Sequence, residues 1–298
     1  MNRRWFVLTL WALLGGAPAS AWAHLTLPLF EVTSPAGVRH LLVGSMHAGY
    51  YGDFSLDPEQ MSLIDAYKRI YFEMPPGDPE AAQKPVAAIR ELTLPPGEQQ
   101  QISQDMRAMI GRIEARKEIP PVLREVLLSK HPLLIHYVLL AVCLNGNDPG
   151  RSVDLLIRGA LTKDHEVLQL ESLADSLAEV PLVSIEQWRS HLEGLGRFFA
   201  DPNCGARLSA QLHRVSDLYE KGDSDALPET MLRFYRSELS SVVIQEAFEL
   251  DGERDARTVA TIISQSEPAV FVVGALHLVR QSGLVSRLRR AGWSVERK

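Results

Sequence analysis

The sequence predicts an α/β fold, a single domain whose central, mostly parallel sheet is built from both chain ends around a large helical insertion. Three observations point there. Short runs rich in β-branched and aromatic residues lie at 27–44, 70–74, 165–172 and 269–274. Helical patterns fill the long stretches between them. A unit of strand, Gly-x-x-His, helix and strand occurs once near each end, with Gly44 and His47 in the first copy and Gly274 and His277 in the second. Strands alternating with helices favour a parallel sheet covered by helices.

The first 23 residues, MNRRWFVLTLWALLGGAPASAWA, read as a secretory signal peptide. Arg3 and Arg4 supply the positive start, Trp5 to Leu14 the apolar core, and Ala21-Trp22-Ala23 the small-x-small cleavage site. The apolar run is half of the roughly twenty residues a spanning helix needs. The expected mature chain is residues 24–298, exported to the periplasm or beyond, with no later stretch apolar enough to span a membrane.

Next come "LPLFEV" (27–32) and "VRHLLVG" (38–44), joined by "TSPAG", whose Pro35 and Gly37 suit a turn; they predict a hairpin. Asp57-Pro58 starts a helix over 57–70. "IYFEM" (70–74) is a strand with Glu73 at its end. In 102–118, Ile102, Met106, Met109, Ile110 and Ile113 form one helical stripe, and "PLLIHYVLLAVCL" (132–144) is apolar on nearly every side, as in a buried helix. A short helix at 152–163 precedes the strand 165–172, near whose end stands Glu171. Residues 173–264 are helical with breaks at Pro181, 201–205 and 222–229. The strand "AVFVVG" (269–274), the second His loop, the helix 283–292 and the strand "WSVERK" close the chain.

The chain has 298 residues, 46% apolar and 23% charged, an ordinary globular composition. Net charge is −6, or −8 without Arg3 and Arg4, which argues against nucleic acid or an anionic membrane surface as partner. There are two cysteines, Cys143 and Cys204. In an exported chain they can form a disulfide or stay as buried thiols, and both readings stand.

In open α/β sheets, sites form beyond the carboxyl ends of strands. Glycine there permits a tight turn, including positive φ. The expectation is that His47 and His277, 230 residues apart in sequence, meet at that rim, their strands lying close in one parallel sheet. Neutral imidazole suits metal ligation or acid–base work near neutral pH. Glu73 and Glu171 share the strand-end position, and two imidazoles with one or two carboxylates suit a divalent metal with open coordination positions.

The segments "LLVGSMHAG", "IYFEMPP", "SVD…LQLES" and "RDARTVATIISQSEPAVFVVGALHLVRQSGLVSRLRRAGWSV" resemble the TraB/GumN family, whose vertebrate relatives are the Tiki metalloproteases. The resemblance implies an α/β fold related to the erythromycin-esterase and ChaN-like proteins. It implies an active site made of the paired histidines and a glutamate, and metal-dependent cleavage of peptide bonds. The family positions fall on His47, His277 and Glu73 as metal ligands, with central acidic positions at Asp154 and Glu171. Arg254 occupies the arginine of an Arg-Asn pair, followed here by Asp255. Three departures stand out: Asp255 for the usual Asn, Tyr219 for a common Trp, and Arg280 for a usual Gly. The expected function is an exported metal-dependent hydrolase of peptides, with Glu171 as base and Arg254 on a substrate carboxylate or oxyanion. The alternative is a non-catalytic protein that holds haem, a metal or a small ligand with the same residues.

Overall fold

The structure is a computed structural model, and it describes residues 23–46, 54–73, 96–115, 124, 132, 135, 139, 143, 152–170, 184–234, 236–237 and 242–298. The strands are β1 (Ala23–Leu25), β2 (Leu29–Thr33), β3 (Arg39–Ser45), β4 (Phe54–Leu56), β5 (Arg69–Phe72), β6 (Glu166–Gln169), β7 (Ala269–Gly274) and β8 (Ser294–Arg297). The α-helices are α1 (Pro58–Asp65), α2 (Pro96–Glu114), α3 (Val153–Ala160), α4 (Ile185–Ala200), α5 (Cys204–Glu220), α6 (Leu227–Phe234), α7 (Val242–Ser264), α8 (Ala275–Val279) and α9 (Leu284–Arg290).

Six strands form one sheet in the order β6-β5-β7-β3-β2-β8. The four strands β6, β5, β7 and β3 are mutually parallel, while β2 runs antiparallel to both β3 and β8. The sheet is therefore built from both chain ends, as the sequence predicts, with a mostly helical segment between them. A second, two-stranded sheet pairs β1 with β4 in parallel. The near-continuous apolar reading of β3 and β7 follows from their central position, buried on both faces.

Each face of the sheet carries its own core. Leu41, Val43, Ile70, Phe72, Val270 and Val272 pack on one side with Val153, Ile157 and Tyr219 from the helices. Leu42, Phe271 and Val273 pack on the other with Ile262, Leu284, Leu288 and Trp293. A third cluster belongs to the helical insertion. There the stripe Ile102, Met106, Met109, Ile110 and Ile113 meets Trp188, Leu192, Leu195 and Phe199. Cys143 and Cys204 are joined in a disulfide inside this cluster, which decides between the two readings of the pair. A Cβ on Gly205 would meet the Cys143 carbonyl oxygen at 2.6 Å, so the crosslink rests against a bare backbone.

Local signals work where they are strong. The predicted hairpin turn closes with Gly37 at φ 84 and its N–H on the Ser34 carbonyl (2.9 Å). Asp57 caps α1 through the Glu59 N–H (2.8 Å), with Pro58 at the first helical position. Helix α1 ends at Asp65, short of the predicted residue 70, because Arg69–Phe72 are recruited as a sheet strand between β6 and β7.

The two glycines of the Gly-x-x-His words are not equivalent. In the parallel β3–β7 register Gly44 faces Val273, and Ser45 faces Gly274. Neither glycine is among the described glycines at positive φ, which are Gly37, Gly222 and Gly292. The expected tight-turn role is thus corrected to close approach. A Cβ on Gly44 would lie 2.9 Å from Pro28 Cγ and 3.1 Å from Ala275 Cβ. Gly274 lies at φ −54 and ψ 133, where it is the N-cap of α8.

Candidate active site

Glu73 follows the last residue of β5, and its N–H donates to the Val272 carbonyl (3.3 Å), which holds it against β7. Its carboxylate is buried. Oε1 accepts from the Gly274 N–H at 2.8 Å, and Oε2 accepts from Arg254 Nη2 at 3.2 Å. Gly274 has no side chain to cap α8, and its amide is turned instead on this carboxylate.

His277 is the third residue of α8. The predicted His loop is therefore one short helix, and the imidazole is carried on it over the rim. Arg254 and Asp255, consecutive on α7, grip the ring from its two nitrogens. Arg254 Nη1 approaches Nε2 at 3.2 Å, and Asp255 Oδ1 meets Nδ1 at 2.7 Å. A guanidinium can only donate, so Nε2 is the acceptor and Nδ1 carries the proton that Asp255 accepts. Nε2 also faces Glu73 Oε1 at 3.8 Å.

Behind this ring lies Arg280, three residues after His277. Its Nε and Nη2 donate to Asp255 Oδ2 at 3.0 and 2.6 Å. Glu73, Asp255 and Arg280 are all less than a tenth exposed, Asp255 least at 1%. Two carboxylates and two guanidinium groups cancel in formal charge around the imidazole. Burial of such charges is sustained only when each is paired and hydrogen-bonded.

Of the residues the sequence singles out, Glu73, His277 and Arg254 come together in this cluster. His47 and Glu171 lie outside the described residues. What is described is the approach to His47: β3 lies beside β7, Tyr219 OH donates to the Ser45 carbonyl (2.6 Å), and Val153 N–H donates to the Met46 carbonyl (2.9 Å). Asp154, at the start of α3, is buried next to that point. Among the described residues no group of three His, Cys, Asp or Glu side chains is placed to hold a metal ion.

Sequence reasoning noted Asp255 and Arg280 only as departures and did not place them in the site. The signal was present: Asp255 adjoins Arg254, and Arg280 stands one helical turn from His277. Gly283 also went unnoticed. A Cβ there would meet the His277 carbonyl oxygen at 2.4 Å and the Arg280 and Leu278 carbonyl oxygens at 3.0 Å, so the chain after α8 closes tightly on the helix that carries the histidine.

Residues 28–297 match the sequence profile of the TraB/PrgY/gumN family, nearly the whole chain. The chain belongs to this family. No curated protein and no solved structure matches it. The TraB/PrgY/gumN match spans every strand of the six-stranded sheet and all the residues of the cluster just described. Among the described residues no helix is long and apolar enough to cross a membrane.

Proposed function

We propose that this TraB/PrgY/gumN protein is an exported metal-dependent hydrolase that cleaves peptide bonds. The observation that carries the reading is the facing pair His277 Nε2 and Glu73 Oε1, 3.8 Å apart beyond the ends of two parallel strands. The donor chemistry fits a divalent ion. Two ligands at ~2.0–2.1 Å in tetrahedral geometry stand ~3.4 Å apart, so the pair needs only a small closure. A carboxylate accepting the Nδ1 proton is the usual arrangement behind a ligating histidine, and Asp255 supplies it. In the proposal His47 is the third protein ligand.

A divalent ion in that position supplies Lewis acidity toward a scissile carbonyl and lowers the pKa of a water. The chain's own residues do the rest. Glu73 is fixed by the Gly274 amide, so its carboxylate cannot swing away. Arg254, which spans Glu73 and His277, offers its remaining donors to a substrate carboxylate or a developing oxyanion. Glu171 takes the proton of the attacking water. Arg254 also occupies the Nε2 lone pair, so it and the ion compete for His277. Residues 1–23 are the export signal, and the mature chain starts at His24.

The test is metal content and peptide hydrolysis of the mature protein, measured on the parent and on His277→Ala. Loss of stoichiometric metal and of turnover together in the variant supports the reading. Parent protein that holds no metal after supply of zinc, manganese or cobalt, and turnover insensitive to chelators, overturns it. Retained metal without turnover on any peptide moves the chain to the ligand-binding class. Intact mass of exported material should begin at His24; a retained Met1 refutes export by cleavage.

A further inference from the structure

We propose that the cavity between α5 and α6 is a binding site for a compact oxyanion of the phosphate or sulfate type, gripped by Arg207, Arg214 and Arg233. The site shares no residue with the candidate active site, and it stands whether or not that site holds a metal.

The cavity has a volume of about 280 Å³, at the small end of what small-molecule ligands fill. Among the described residues, every charged side chain on its wall is an arginine. Thr230 and Ser237 add hydroxyls, and Phe234, itself buried, adds an apolar surface. Helical spacing explains the convergence. Arg207, Gln211 and Arg214 stand at i, i+4 and i+7 on one face of α5, and Arg233 meets them from α6. The two α5 arginines are about 10 Å apart along the helix axis, a gap that two long side chains close from its two ends. Gln211 pins the helices together at the midpoint: it is less than a tenth exposed, and its Nε2 donates to the Thr230 carbonyl at 3.2 Å.

Charge decides what such a hollow takes. The chain carries a net charge of −6, yet residues 202–216 and 230–237, which supply the walls, hold four arginines and no aspartate or glutamate. Arg207 and Arg233 each meet one carboxylate from just outside those spans, Asp201 at 2.6 Å and Glu229 at 3.5 Å. Arg214 has neither an ion pair nor a hydrogen bond among the described residues. Each guanidinium has five N–H donors in a planar fork, more than one carboxylate oxygen can occupy. Three forks around one space outnumber the two oxygens of a carboxylate and match the three or four of a phosphate or sulfate. Arg207 is also steadied from behind, its Cζ lying 5.4 Å above the Phe198 ring. Three like charges around one hollow repel, and a divalent anion between them turns that repulsion into attraction.

Isothermal titration calorimetry of the purified, disulfide-intact protein tests this in chloride buffer of fixed ionic strength. The titrants are sodium phosphate, sodium sulfate, phenyl phosphate and sodium acetate. The expected result is saturable binding of phosphate or sulfate, one per chain, and none of acetate. Arg214→Gln and Arg233→Gln should each weaken it about tenfold, through loss of charge-assisted hydrogen bonds to the anion. Both side chains are exposed, so neither change endangers the fold. Arg290→Gln, which removes the same charge from α9 outside the cavity, should bind as the parent does. Tighter binding of phenyl phosphate than of inorganic phosphate identifies a phosphate ester as the occupant, its organic part against Phe234; the reverse order identifies the free ion. Absence of saturable oxyanion binding overturns the proposal. So do acetate binding as tight as phosphate, and three arginine changes of equal effect, whether none or tenfold.

Discussion

His40 offers the sharpest test of how the sheet is packed. It lies on β3, fully buried, with its ring stacked on Trp293 at 5.6 Å and edge-on to Phe271 at the same distance. Neither ring nitrogen has a hydrogen-bond partner among the described residues. Burial lowers its pKa from 6.5 to about 4. A folded pKa below the unfolded value means that the unfolded chain takes the proton first as pH falls. The neutral ring's contribution is thus present above pH 6.5 and lost on the way down to about 4. With those two values, linkage gives a loss of about 2 kcal/mol between pH 8 and pH 5, and about 3 kcal/mol by pH 4. His40→Phe keeps an aromatic ring in the slot and removes the titration. Urea unfolding of parent and variant at pH 8 and pH 5 isolates the effect as the change in their stability difference. Any overpacking by the larger ring is the same at both pH values and cancels. A difference that stays constant within a few tenths of a kcal/mol would falsify the assignment of His40 as a neutral, unbonded core group.

Reduction of the Cys143–Cys204 disulfide, or Cys143→Ser with Cys204→Ser, should cost about 4 kcal/mol, as expected for a sequence separation of 61 residues; an unchanged urea midpoint refutes a stabilising crosslink. Gly283→Ala should destabilise by about 3 kcal/mol, since its methyl would meet backbone oxygens that no rotamer change can move; a calorimetric midpoint equal to the parent's contradicts that close approach. Glu73→Gln should abolish metal uptake, whereas Glu171→Gln should keep the metal and lose turnover, read by elemental analysis beside a peptide-cleavage assay. The opposite pattern exchanges their roles.

The fold was legible because its signals were local or periodic. Asp57-Pro58, the Pro35–Gly37 turn and the stripe from Ile102 to Ile113 each state their own conformation, and the structure agrees. That β3 and β7 lie close in one parallel sheet was legible for another reason: both runs are apolar nearly throughout, as buried parallel strands are. The end of α1 was less so, because residues 66–70 carry no stop signal and yield to strand pairing made elsewhere in the sheet. Of the site, Glu73, His277 and Arg254 could be named from sequence. The partnership of Asp255 with Arg280 could not be read from composition or period. Two oddities 25 residues apart become one feature only when α7 lies against α8, and what tertiary contact creates is invisible to any local rule.

The position of β7 fixes an order of assembly. Leu41 pairs with Val270 and Ile70 with the same Val270, so the middle strand of the sheet is contributed by nearly the last part of the chain to be synthesised. Until it emerges, β3 and β5 have no strand to join them, and the β2–β3 hairpin carries an open apolar edge. Contacts of such span close late and slowly. A nascent polypeptide that already contains Glu73, Arg254 and Asp255 still lacks the imidazole they converge on. The cluster at this rim therefore assembles only after β7 and His277 have been made, and a chain cut short before residue 269 lacks both the joining strand and the imidazole.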